Sequence, residues 1–482
     1  MTNLADKLTK PIFRTVGSVA DTLNRPAYVV GGYVRDLILG RHSKDIDFVT
    51  VGSGIELAQA VGAALGRGTR VNVFRNYGTA QVHRRGLELE FVGARRESYS
   101  RDSRNPIVED GTLDDDIARR DFTINAMAIS VNADTFGQLV DKYDGMGDLG
   151  RRIIRTPLDP DITFSDDPLR MMRAVRFATQ LQFDIYPETL EAIRRNAERL
   201  RIITRERIKD ELVKIMASPR PSICWTLMRK TGRLHIVLPE LEAMRGVEVV
   251  HGRGHKDNFY HTMEVLDNVA RATTDPWTRW AALFHDIAKP ITKRWDETQG
   301  WTFHNHNFVG AKMLPRIFQR LCLPMGAEMR LVQKLVELHM RPIALVEDEV
   351  TDSAVRRLMN YAEEALPQLM TLARADITSK NQERKQRYLD NFDLVEQKFA
   401  TVDALDRDRA FRPALDGFDI MYMLSLPQGK EVGYFMSNLT RASKDCEIGP
   451  TREDAEAYIR SLAIPLGYTP RPLPPKEEKG EE

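Results

Sequence analysis

The chain has 482 residues, of which 42% are hydrophobic and 29% charged, and a formal net charge of +1. This composition is typical of a soluble globular protein, and the length predicts roughly three or four domains. The near-zero net charge excludes a globally basic nucleic-acid-binding protein, so any basic surface must be local. The three cysteines are widely spaced, which fits a reducing cytoplasm and argues against a disulfide framework and a cysteine zinc site. No apolar run approaches about eighteen residues and no signal-peptide pattern is present, so we expect neither a membrane-spanning nor a secreted protein.

Residues 28–50 predict a strand, a glycine turn, a short helix and a second strand. Gly31 and Gly32 interrupt a β-branched run where the backbone must turn sharply and pass close to a ligand. Asp45 and Asp47 are two apart on the second strand, so their carboxylates share one face. Such a pair suits Mg²⁺ bridged to a nucleoside triphosphate, with the glycine N–H groups and Arg35 contacting the phosphates. The alternative is a surface aspartate pair that caps a turn.

The next segments predict a helix over 54–65 and strands around a turn over 69–95. Glu90 lies on the polar face of the last strand. The charged run from Glu97 to Asp116 predicts a long loop. The following sequence, RRDFTINAMAIS, has helical spacing and predicts a helix capped by Asp121. Residues 141–156 predict a strand, a turn and a strand.

A helix capped by Ser165 or Asp166 is predicted next, with one charged stripe on an otherwise apolar surface. The stripe must face a polar cleft or another charge. An acceptor–donor pair such as Asp167 and Arg170 can hydrogen-bond the Watson–Crick edge of cytosine or adenine and reject guanine and uracil. The stripe consists of Asp167, Arg170, Arg173 and Arg176.

Residues 188–246 predict further helices rich in arginine, which either bind an RNA backbone or are simply solvated. Eight of the ten histidines then fall between 235 and 339. His285 and Asp286 are adjacent at the polar edge of an amphipathic helix, where both can reach one metal. We assign no role to His251 and His255, and His304 is interpreted as a surface neighbour. After 383 we expect a helix to about Phe399, a charged connector and a last helical piece.

Four motifs in one order carry a family resemblance: GGYVRD with DID, RRDFTINAMA, DDPLRMMRAVRF and the histidine–aspartate set. Together they resemble the class II tRNA nucleotidyltransferases (CCA-adding enzymes) of the DNA polymerase β superfamily, with a domain similar to the HD phosphohydrolases. The resemblance implies an α+β fold, in which a small mixed α/β nucleotidyltransferase head precedes a mostly helical neck, HD domain and C-terminal helical region. The family's base-reading motif begins with glutamate where this chain has Asp166, which puts the supporting role of that residue in doubt.

The resemblance also implies roles for individual residues. Glu90 is the expected third catalytic carboxylate beside Asp45 and Asp47, although an exposed glutamate with no role explains it equally well. Arg120 contacts the nucleotide, and Asp121 lies where the sugar hydroxyl is read. The implied nucleotide-binding residues are Gly31, Gly32, Arg35, Arg120, Asp121, Asn125, Asp167, Arg170, Arg173 and Arg176. The implied ligands are Asp45 and Asp47 for Mg²⁺, and His261, His285, Asp286 and Asp376 for a divalent metal of unknown identity, or two metals if His306 and His339 take part.

The predicted activity is template-independent addition or repair of the 3′-terminal CCA of tRNA from CTP and ATP, in the cytoplasm and without a membrane partner. The HD domain is expected to hydrolyse a phosphate ester, because a bound divalent metal activates water. Alternatives are a bacterial poly(A) polymerase, a partial enzyme adding only CC or only A, and a phosphohydrolase whose head only binds RNA. The residues leave the oligomeric state open. The predicted domains are the head 1–156, the neck 157–246, the HD domain 247–390, the C-terminal tRNA-binding region 391–465 and a disordered tail 466–482.

Overall fold

The computed structural model describes residues 2–43, 45–98, 107–251, 253–254, 257–347, 351–379, 381–408 and 413–474. The chain forms two compact units. The first extends to Val247 and includes Arg316–Pro324, and the second comprises Glu248–Pro315 and the residues from Met325 onward. The boundaries of the five predicted domains stay predictions. No helix in the described part of the chain has the length and apolar character needed to cross a bilayer.

A seven-stranded mixed sheet forms the core of the first unit, in the order β3-β4-β5-β2-β1-β8-β9. Within the described residues of this sheet, β2 and β5 pair in parallel and all other neighbours are antiparallel. The strands of the first unit are β1 Ala27–Val30, β2 Asp45–Thr50, β3 Arg70–Phe74, β4 Thr79–Arg84, β5 Leu87–Gly93, β6 Arg95–Ser98, β7 Ile107–Asp110, β8 Met127–Ser130, β9 Leu139–Asp141, β10 Ile153–Ile154 and β11 Asp184–Ile185. Those of the second unit are β12 Val249–Val250, β13 Arg253–Gly254, β14 Arg294–Asp296 and β15 Gly300–Thr302.

Helices make up most of the remaining structure. In the first unit they are α1 Pro11–Thr22, α2 Gly32–Ile38, α3 Gly54–Leu65, α4 Leu113–Ala118, α5 Gly145–Arg151, α6 Pro160–Asp166, α7 Leu169–Leu181, α8 Pro187–Arg195, α9 Arg205–Met216, α10 Ser222–Lys230, α11 Leu234–Val237 and α12 Pro239–Ala243. They continue as α13 Asn258–Ala272, α14 Pro276–Phe284, α15 Lys289–Thr292, α16 His306–Arg320, α17 Ala327–Leu338, α18 Met340–Glu347, α19 Asp352–Ala362, α20 Leu366–Asp376, α21 Gln382–Asp408, α22 Gly417–Leu424, α23 Lys430–Lys444 and α24 Arg452–Ala463. The predicted fold class is confirmed, as is the helix at 54–65.

One face of the large sheet is apolar and the other is polar near the carboxylates. Ile46, Phe48, Leu89 and Phe91 are fully or almost fully buried, and the two phenylalanine rings stack with centroids 5.1 Å apart. Because side chains alternate along a strand, the acidic residues between them face the opposite side. The predicted alternation of β2 and β5 is therefore confirmed.

Several local predictions differ from the structure. The expected loop 97–116 contains β7 and α4, and residues 99–106 lie outside the described part. The expected helix after Asp121 is a short 3₁₀ turn, Thr123–Asn125, followed by β8. All four residues of β8 are buried, so no alternation of polar and apolar residues marks it as a strand. The turn expected near Gly145 is α5, and the charged connector after Phe399 continues α21 as far as Asp408, while its residues 409–412 lie outside the described part.

The first part of the predicted disordered tail, residues 466–474, packs against the rest of the chain. The backbone N–H of Arg471 donates to the Met423 carbonyl at 2.8 Å. Tyr468 and Leu473 pack against the core formed by α22, α23 and α24. Residues 475–482 of the predicted disordered tail lie outside the described residues.

Candidate functional site

The glycine turn after β1 lies directly against the carboxylate strand. Gly31 has φ of 73°, and a Cβ built on it would lie 2.9 Å from Arg120 Nη1 and 3.8 Å from Asp47 Oδ2. Both the backbone conformation and the close approach of Arg120 therefore require glycine. Val30, the last residue of β1, pairs with Asp47. The turn, the arginine and the carboxylate thus border the same space.

Glu90 lies on the strand beside the two aspartates. In the parallel pairing of β2 with β5, Asp47 is opposite Glu90 and Asp45 is opposite Glu88. Burial, Glu90 and Asp45 raise the pKa of Asp47 to about 6, against the opposing effect of Arg120. The oxygens of Asp45, Asp47 and Glu90 do not all lie within 4.8 Å of one another. This face therefore concentrates negative charge that a divalent cation would neutralise, and oxygen ligands of this kind fit Mg²⁺.

Two arginines beside this surface are held by one buried aspartate that the sequence did not single out. Asp116 on α4 is completely buried; its Oδ1 accepts from Arg119, and its Oδ2 accepts from Arg120 Nη2 at 2.9 Å. Burial opposes its ionisation, but Arg120 and Arg119 hold the pKa of Asp116 below its usual value. The sequence does contain a signal for this contact, because Asp116 precedes the two arginines by three and four residues, the spacing at which side chains on a helix meet. Asp116 therefore positions Arg120 against Gly31.

Asp121 and Asn125 join three elements through a chain of hydrogen bonds. Asp121 accepts from the Asn125 amide at 3.0 Å and from Arg173 Nε at 2.7 Å. The Asn125 oxygen accepts from Arg35 at 2.8 Å, and Arg35 also donates to both oxygens of Asp36. Although burial opposes it, Arg173 and Asn125 hold the pKa of Asp121 below its usual value. In this structure the side chains of these residues hydrogen-bond one another. Their contacts with a nucleotide stay predictions.

Asp167 and Arg170, the predicted base-reading pair, stand at the start of α7. Asp167 Oδ1 accepts from the Leu169 backbone N–H at 3.1 Å, so Asp167 caps this helix in place of the predicted Ser165 or Asp166. Its Oδ2 accepts from Arg207 at 3.0 Å. Arg170 donates to the Arg119 carbonyl at 2.8 Å. Both side chains are thus oriented by neighbours in the same unit.

The charged stripe of α7 faces acidic residues, as expected. Arg173 pairs with Asp121, whereas Arg176 is buried and donates to Glu211 of α9 at 2.5 Å. Burial lowers the pKa of Arg176, an effect that Glu211 opposes. Arg176 was predicted to bind the nucleotide, but the structure gives it a buried carboxylate partner that ties α7 to α9.

The second unit brings all six predicted metal ligands together. His261 Nε2 lies 2.8 Å from Asp376 Oδ1, and His285 Nε2 lies 3.3 Å from Asp286 Oδ2. Two overlapping sets each place all their ligand atoms within 4.8 Å of one another. Asp286 belongs to both sets. The sets are His261, His285 and Asp286, and Asp286, His306 and His339.

The orientation of three imidazoles is set by backbone carbonyls. The Nδ1 atoms of His285, His306 and His339 lie 2.7–2.8 Å from the carbonyls of Ala282, Phe303 and Val336, in that order. A carbonyl only accepts, so each Nδ1 carries the proton and each Nε2 is left with a lone pair when the ring is neutral. His306 Nε2 and His339 Nε2 lie 3.3 Å apart, and the buried His285 Nε2, although 3.3 Å from Asp286 Oδ2, makes no hydrogen bond of acceptable geometry within the described part of the chain. This is the ligand geometry that a metal ion requires.

The charges of this cluster are strongly coupled. Burial lowers the pKa of His285, but Asp286 and Asp376 outweigh it and raise that pKa to about 10. Burial and His285 lower the pKa of His339 to about 4. The pKa of Asp286 lies well below its usual value despite burial, because His285 and Lys289 face it. Four imidazoles and two carboxylates fit one or two transition-metal ions better than Mg²⁺.

The chain thus carries two sites in two separate units. One is a mixed sheet with acidic residues beside a glycine turn, and the other is a helical cluster of histidines and aspartates. Together they define a nucleotidyltransferase head combined with an HD-type metal centre.

Comparison with known proteins supports this class over most of the chain. Family models match the poly(A) polymerase head domain over residues 27–155, a probable RNA- and SrmB-binding site of polymerase A over 182–245, and the HD domain over 258–381. An A-adding tRNA nucleotidyltransferase of Deinococcus radiodurans is 32% identical over 446 residues, covering 91% of this chain and 95% of that protein. A CC-adding tRNA nucleotidyltransferase of Thermus thermophilus is 30% identical over 448 residues, covering 90% and 93%.

A solved structure has the same fold. It is a crystal structure of a tRNA nucleotidyltransferase complexed with a primer tRNA and an incoming ATP analogue, with 25% sequence identity and a TM-score of 0.57. The match covers 81% of this chain and 99% of that one. The chain belongs to the tRNA nucleotidyltransferase family, and the predicted resemblance is confirmed.

Proposed function

We propose that the first unit adds cytidine and adenosine nucleotides to the 3′ end of tRNA, using CTP and ATP, to build or repair the CCA terminus. The observation that carries this proposal is the shared sheet face of Asp45, Asp47 and Glu90 beside Gly31 and Arg120. Mg²⁺ held by Asp45 and Asp47 would stabilise charge developing on the triphosphate and activate the terminal ribose hydroxyl. Arg120 and the backbone at Gly31 and Gly32 would bind the phosphates.

The choice of nucleotide is assigned to Asp167 and Arg170. Together they offer an acceptor and donors, the polarity that the Watson–Crick edges of cytosine and adenine complement. Their neighbours Arg207 and Arg119 hold them in place. Preorganisation of this kind lets a protein surface select a base without a nucleic-acid template.

Complete CCA addition is proposed over a partial activity. The chain is 32% identical to an A-adding relative and 30% identical to a CC-adding one, so similarity favours neither specialised activity. The same pair of side chains can accept either base.

The test is incubation of the protein and Mg²⁺ with three tRNA transcripts, ending before CCA, after CC and after CCA. CTP and ATP are supplied separately and together, and the products are sequenced. Addition of C, C and A in order, followed by termination, is expected. Long A runs would show a poly(A) polymerase, and a halt after CC or addition of A alone would show a partial enzyme. No incorporation at all would refute nucleotidyl transfer.

A second activity is proposed for the metal centre of the second unit. The convergence of four imidazoles on Asp286 and Asp376 supports hydrolysis of a phosphate ester. Bound divalent metal would supply Lewis acidity and a nucleophile at neutral pH. Lys289, whose Nζ lies 2.7 Å from Asp286, supplies positive charge at the edge of this site. The test is release of product from a phosphodiester probe with Mn²⁺, Ni²⁺, Zn²⁺ or Mg²⁺ present.

A further inference from the structure

The outer hairpin of the large sheet carries an unusual concentration of arginine. Residues 66–86, which include β3 and β4, contain five arginines and no aspartate or glutamate. In the described part of the chain none of these arginines forms an ion pair or a side-chain hydrogen bond with another residue. The five are Arg67, Arg70, Arg75, Arg84 and Arg85.

Several arginines of the neck segment behave differently. This segment also looks basic in the sequence, yet three of its exposed guanidiniums have carboxylate partners within the unit. These are Arg194 with Glu191, Arg195 with Asp161 and Arg201 with Glu198. Like charges with no counter-charge raise the local potential and attract an anionic partner. The hairpin is therefore the stronger candidate for a polyanion-binding surface.

Strand register places Arg70 of this hairpin on the face of the sheet that carries the proposed catalytic carboxylates, whereas Arg84, opposite Leu87, lies on the other face. Asp47 is opposite Glu90, Glu90 is opposite Gln81, and Gln81 is opposite Asn72. Residues directly opposite each other on neighbouring strands point to the same face. A second row runs in the same way through Asp45, Glu88, His83 and Arg70. Arg70 is therefore three strands from Asp45, about 14 Å, on a continuous surface.

The apolar side of the hairpin is already occupied. A Cβ built on Gly62 of α3 would lie 2.4 Å from Val71 Cγ2, so α3 covers the face to which Val71 points. The alternating residues Arg70, Asn72 and Phe74 therefore point to the carboxylate face.

Two exposed aromatic rings accompany the arginines. Tyr77 is 72% exposed at the tip of the hairpin, and Phe74 is 41% exposed at the end of β3. Exposed rings between arginines are typical of surfaces that bind RNA strands, because bases stack on the rings while guanidiniums contact phosphates.

We propose that the β3–β4 hairpin binds the ribose–phosphate strand of the acceptor RNA and directs its 3′ end along the sheet face toward Asp45 and Asp47. Arg70, Arg75 and Arg85 contact phosphates, and Tyr77 stacks on a base. This proposal rests on the proposed function, in that the RNA is the substrate whose end is extended. It adds a substrate-binding surface to the head, separate from the residues that bind the incoming nucleotide.

The test is direct binding of a fluorescently labelled tRNA transcript lacking CCA, without nucleotide, at several salt concentrations. The triple variant Arg70→Ala, Arg75→Ala and Arg85→Ala is compared with wild type. We expect its Kd to rise at least tenfold at low salt, and the slope of log K against log salt to fall by about two to three, because each phosphate contact contributes a little under one. Tyr77→Ala is expected to weaken binding about fivefold or more with the salt slope unchanged.

The matched control removes the same charge elsewhere. Arg316→Ala, Arg357→Ala and Arg387→Ala replaces three exposed arginines outside the hairpin, and it should change the Kd much less than the hairpin triple variant does. Thermal melting establishes that all variants are folded. KM for CTP and ATP should stay at the wild-type value in the hairpin variants, whereas KM for tRNA rises.

The two proposals fail in distinguishable ways. If the hairpin triple variant and Tyr77→Ala bind tRNA with wild-type Kd and salt slope, the hairpin proposal is overturned while nucleotide addition by the wild type stands. If the wild type adds no nucleotide but the hairpin variants still lose RNA binding, the surface stands and the proposed activity falls. Absence of RNA binding by the wild type at low salt overturns the hairpin proposal.

Discussion

Asp116 shows how much one buried carboxylate can organise. It accepts hydrogen bonds from Arg119 and Arg120 on the next turn of the chain, and Arg120 in turn reaches Gly31. A carboxylate with no exposed surface is stable as an anion only because both guanidiniums face it. It positions Arg120 without touching the proposed nucleotide itself.

Asp116→Asn should therefore impair both folding and nucleotide binding. The amide cannot neutralise two guanidiniums, and breaking such a buried network typically costs about 3–5 kcal/mol. We expect a lower urea midpoint and a KM for CTP and ATP raised about tenfold, with KM for tRNA little changed. Asp114→Asn on the same helix is the control, because Asp114 is largely exposed and pairs with Lys142. Wild-type stability and KM in Asp116→Asn would contradict the assigned role.

Ionised Asp47 destabilises the fold when no metal is bound. Its pKa is raised from 3.8 to about 6 by burial, Glu90 and Asp45. An acid whose pKa is higher in the folded than in the unfolded protein destabilises the fold once it ionises, so metal-free stability falls as pH rises through this range.

Asp47→Asn should consequently stabilise the metal-free protein and abolish nucleotide addition. At pH 7.5 in EDTA we expect a gain of about 3 kcal/mol in unfolding free energy, from the pKa difference of about two units. The gain should vanish below about pH 3, where Asp47 of the wild type is protonated in both the folded and the unfolded protein. Unfolding curves at the two pH values check this, and a destabilised variant at pH 7.5 would refute the strain assigned to Asp47.

At the scale of elements, α7 connects the predicted base-reading residues to the rest of its unit. Its start is capped by Asp167, and its middle is tied to α9 through Arg176 and Glu211. The sequence stripe predicted that these charges must face a cleft or other charges, which is correct. It did not distinguish Arg173, which meets Asp121, from Arg176, which meets a buried glutamate on a helix far along the chain.

Arg176→Met should act on stability and leave base selection unchanged. It leaves the carboxylate of Glu211 buried without its partner, at a cost of about 3–5 kcal/mol. The double variant Arg176→Met with Glu211→Leu should recover most of this loss, since an apolar pair can replace a buried ion pair. Urea unfolding and the ratio of C to A incorporation are the measurements. A changed ratio at wild-type stability would instead support the nucleotide-binding role predicted from the sequence.

Which elements could be predicted from the sequence depended on whether one face was solvated. β2 and β5 have a buried and a polar face, so their alternation was visible, whereas the place of Glu90 beside the aspartates was implied only by the family resemblance and appears in the pairing of β2 with β5. β8 is buried on both faces between β1 and β9, so its apolar run also fitted a helix. The sequence did not indicate helix α4, because its first turn contains three aspartates and Ile117 is its one buried apolar residue.

The metal cluster was predictable for a different reason. Histidines are few in this chain, and their concentration in one region was visible without structural information. What the sequence did not contain is the carbonyl partner of each Nδ1, because those contacts arise only when α14 and α17 end at His285 and His339 and α16 begins at His306. That arrangement, rather than the residue types alone, places each Nε2 within 3.9 Å of an Asp286 oxygen.

Metal binding should stabilise the second unit. A ligand present at about 100 times its Kd adds about 2.7 kcal/mol to folding stability. We expect EDTA to lower the melting temperature of the wild type and not that of His285→Ala. His304→Ala is the control, since His304 is exposed and outside both ligand sets. An EDTA effect of equal size in His285→Ala would contradict the ligand assignment.

At the scale of the whole molecule, the chain carries one proposed activity in each of two compact units. The central claim is that these activities reside in separate sets of residues. Asp45 on β2 belongs to the first set, and His285 at the end of α14 belongs to the second. Loss of one should therefore leave the other intact.

The most direct measurement assays both reactions on the same preparations of wild type, Asp45→Ala and His285→Ala. Nucleotide addition is followed on a tRNA transcript lacking CCA, and hydrolysis on a phosphodiester probe. We predict that Asp45→Ala loses nucleotide addition by at least about a thousandfold, as removal of a metal-binding carboxylate implies, and retains hydrolysis, whereas His285→Ala shows the reverse. Wild-type nucleotide addition by Asp45→Ala would contradict the account, because it would place the transfer reaction outside the carboxylate face of the sheet.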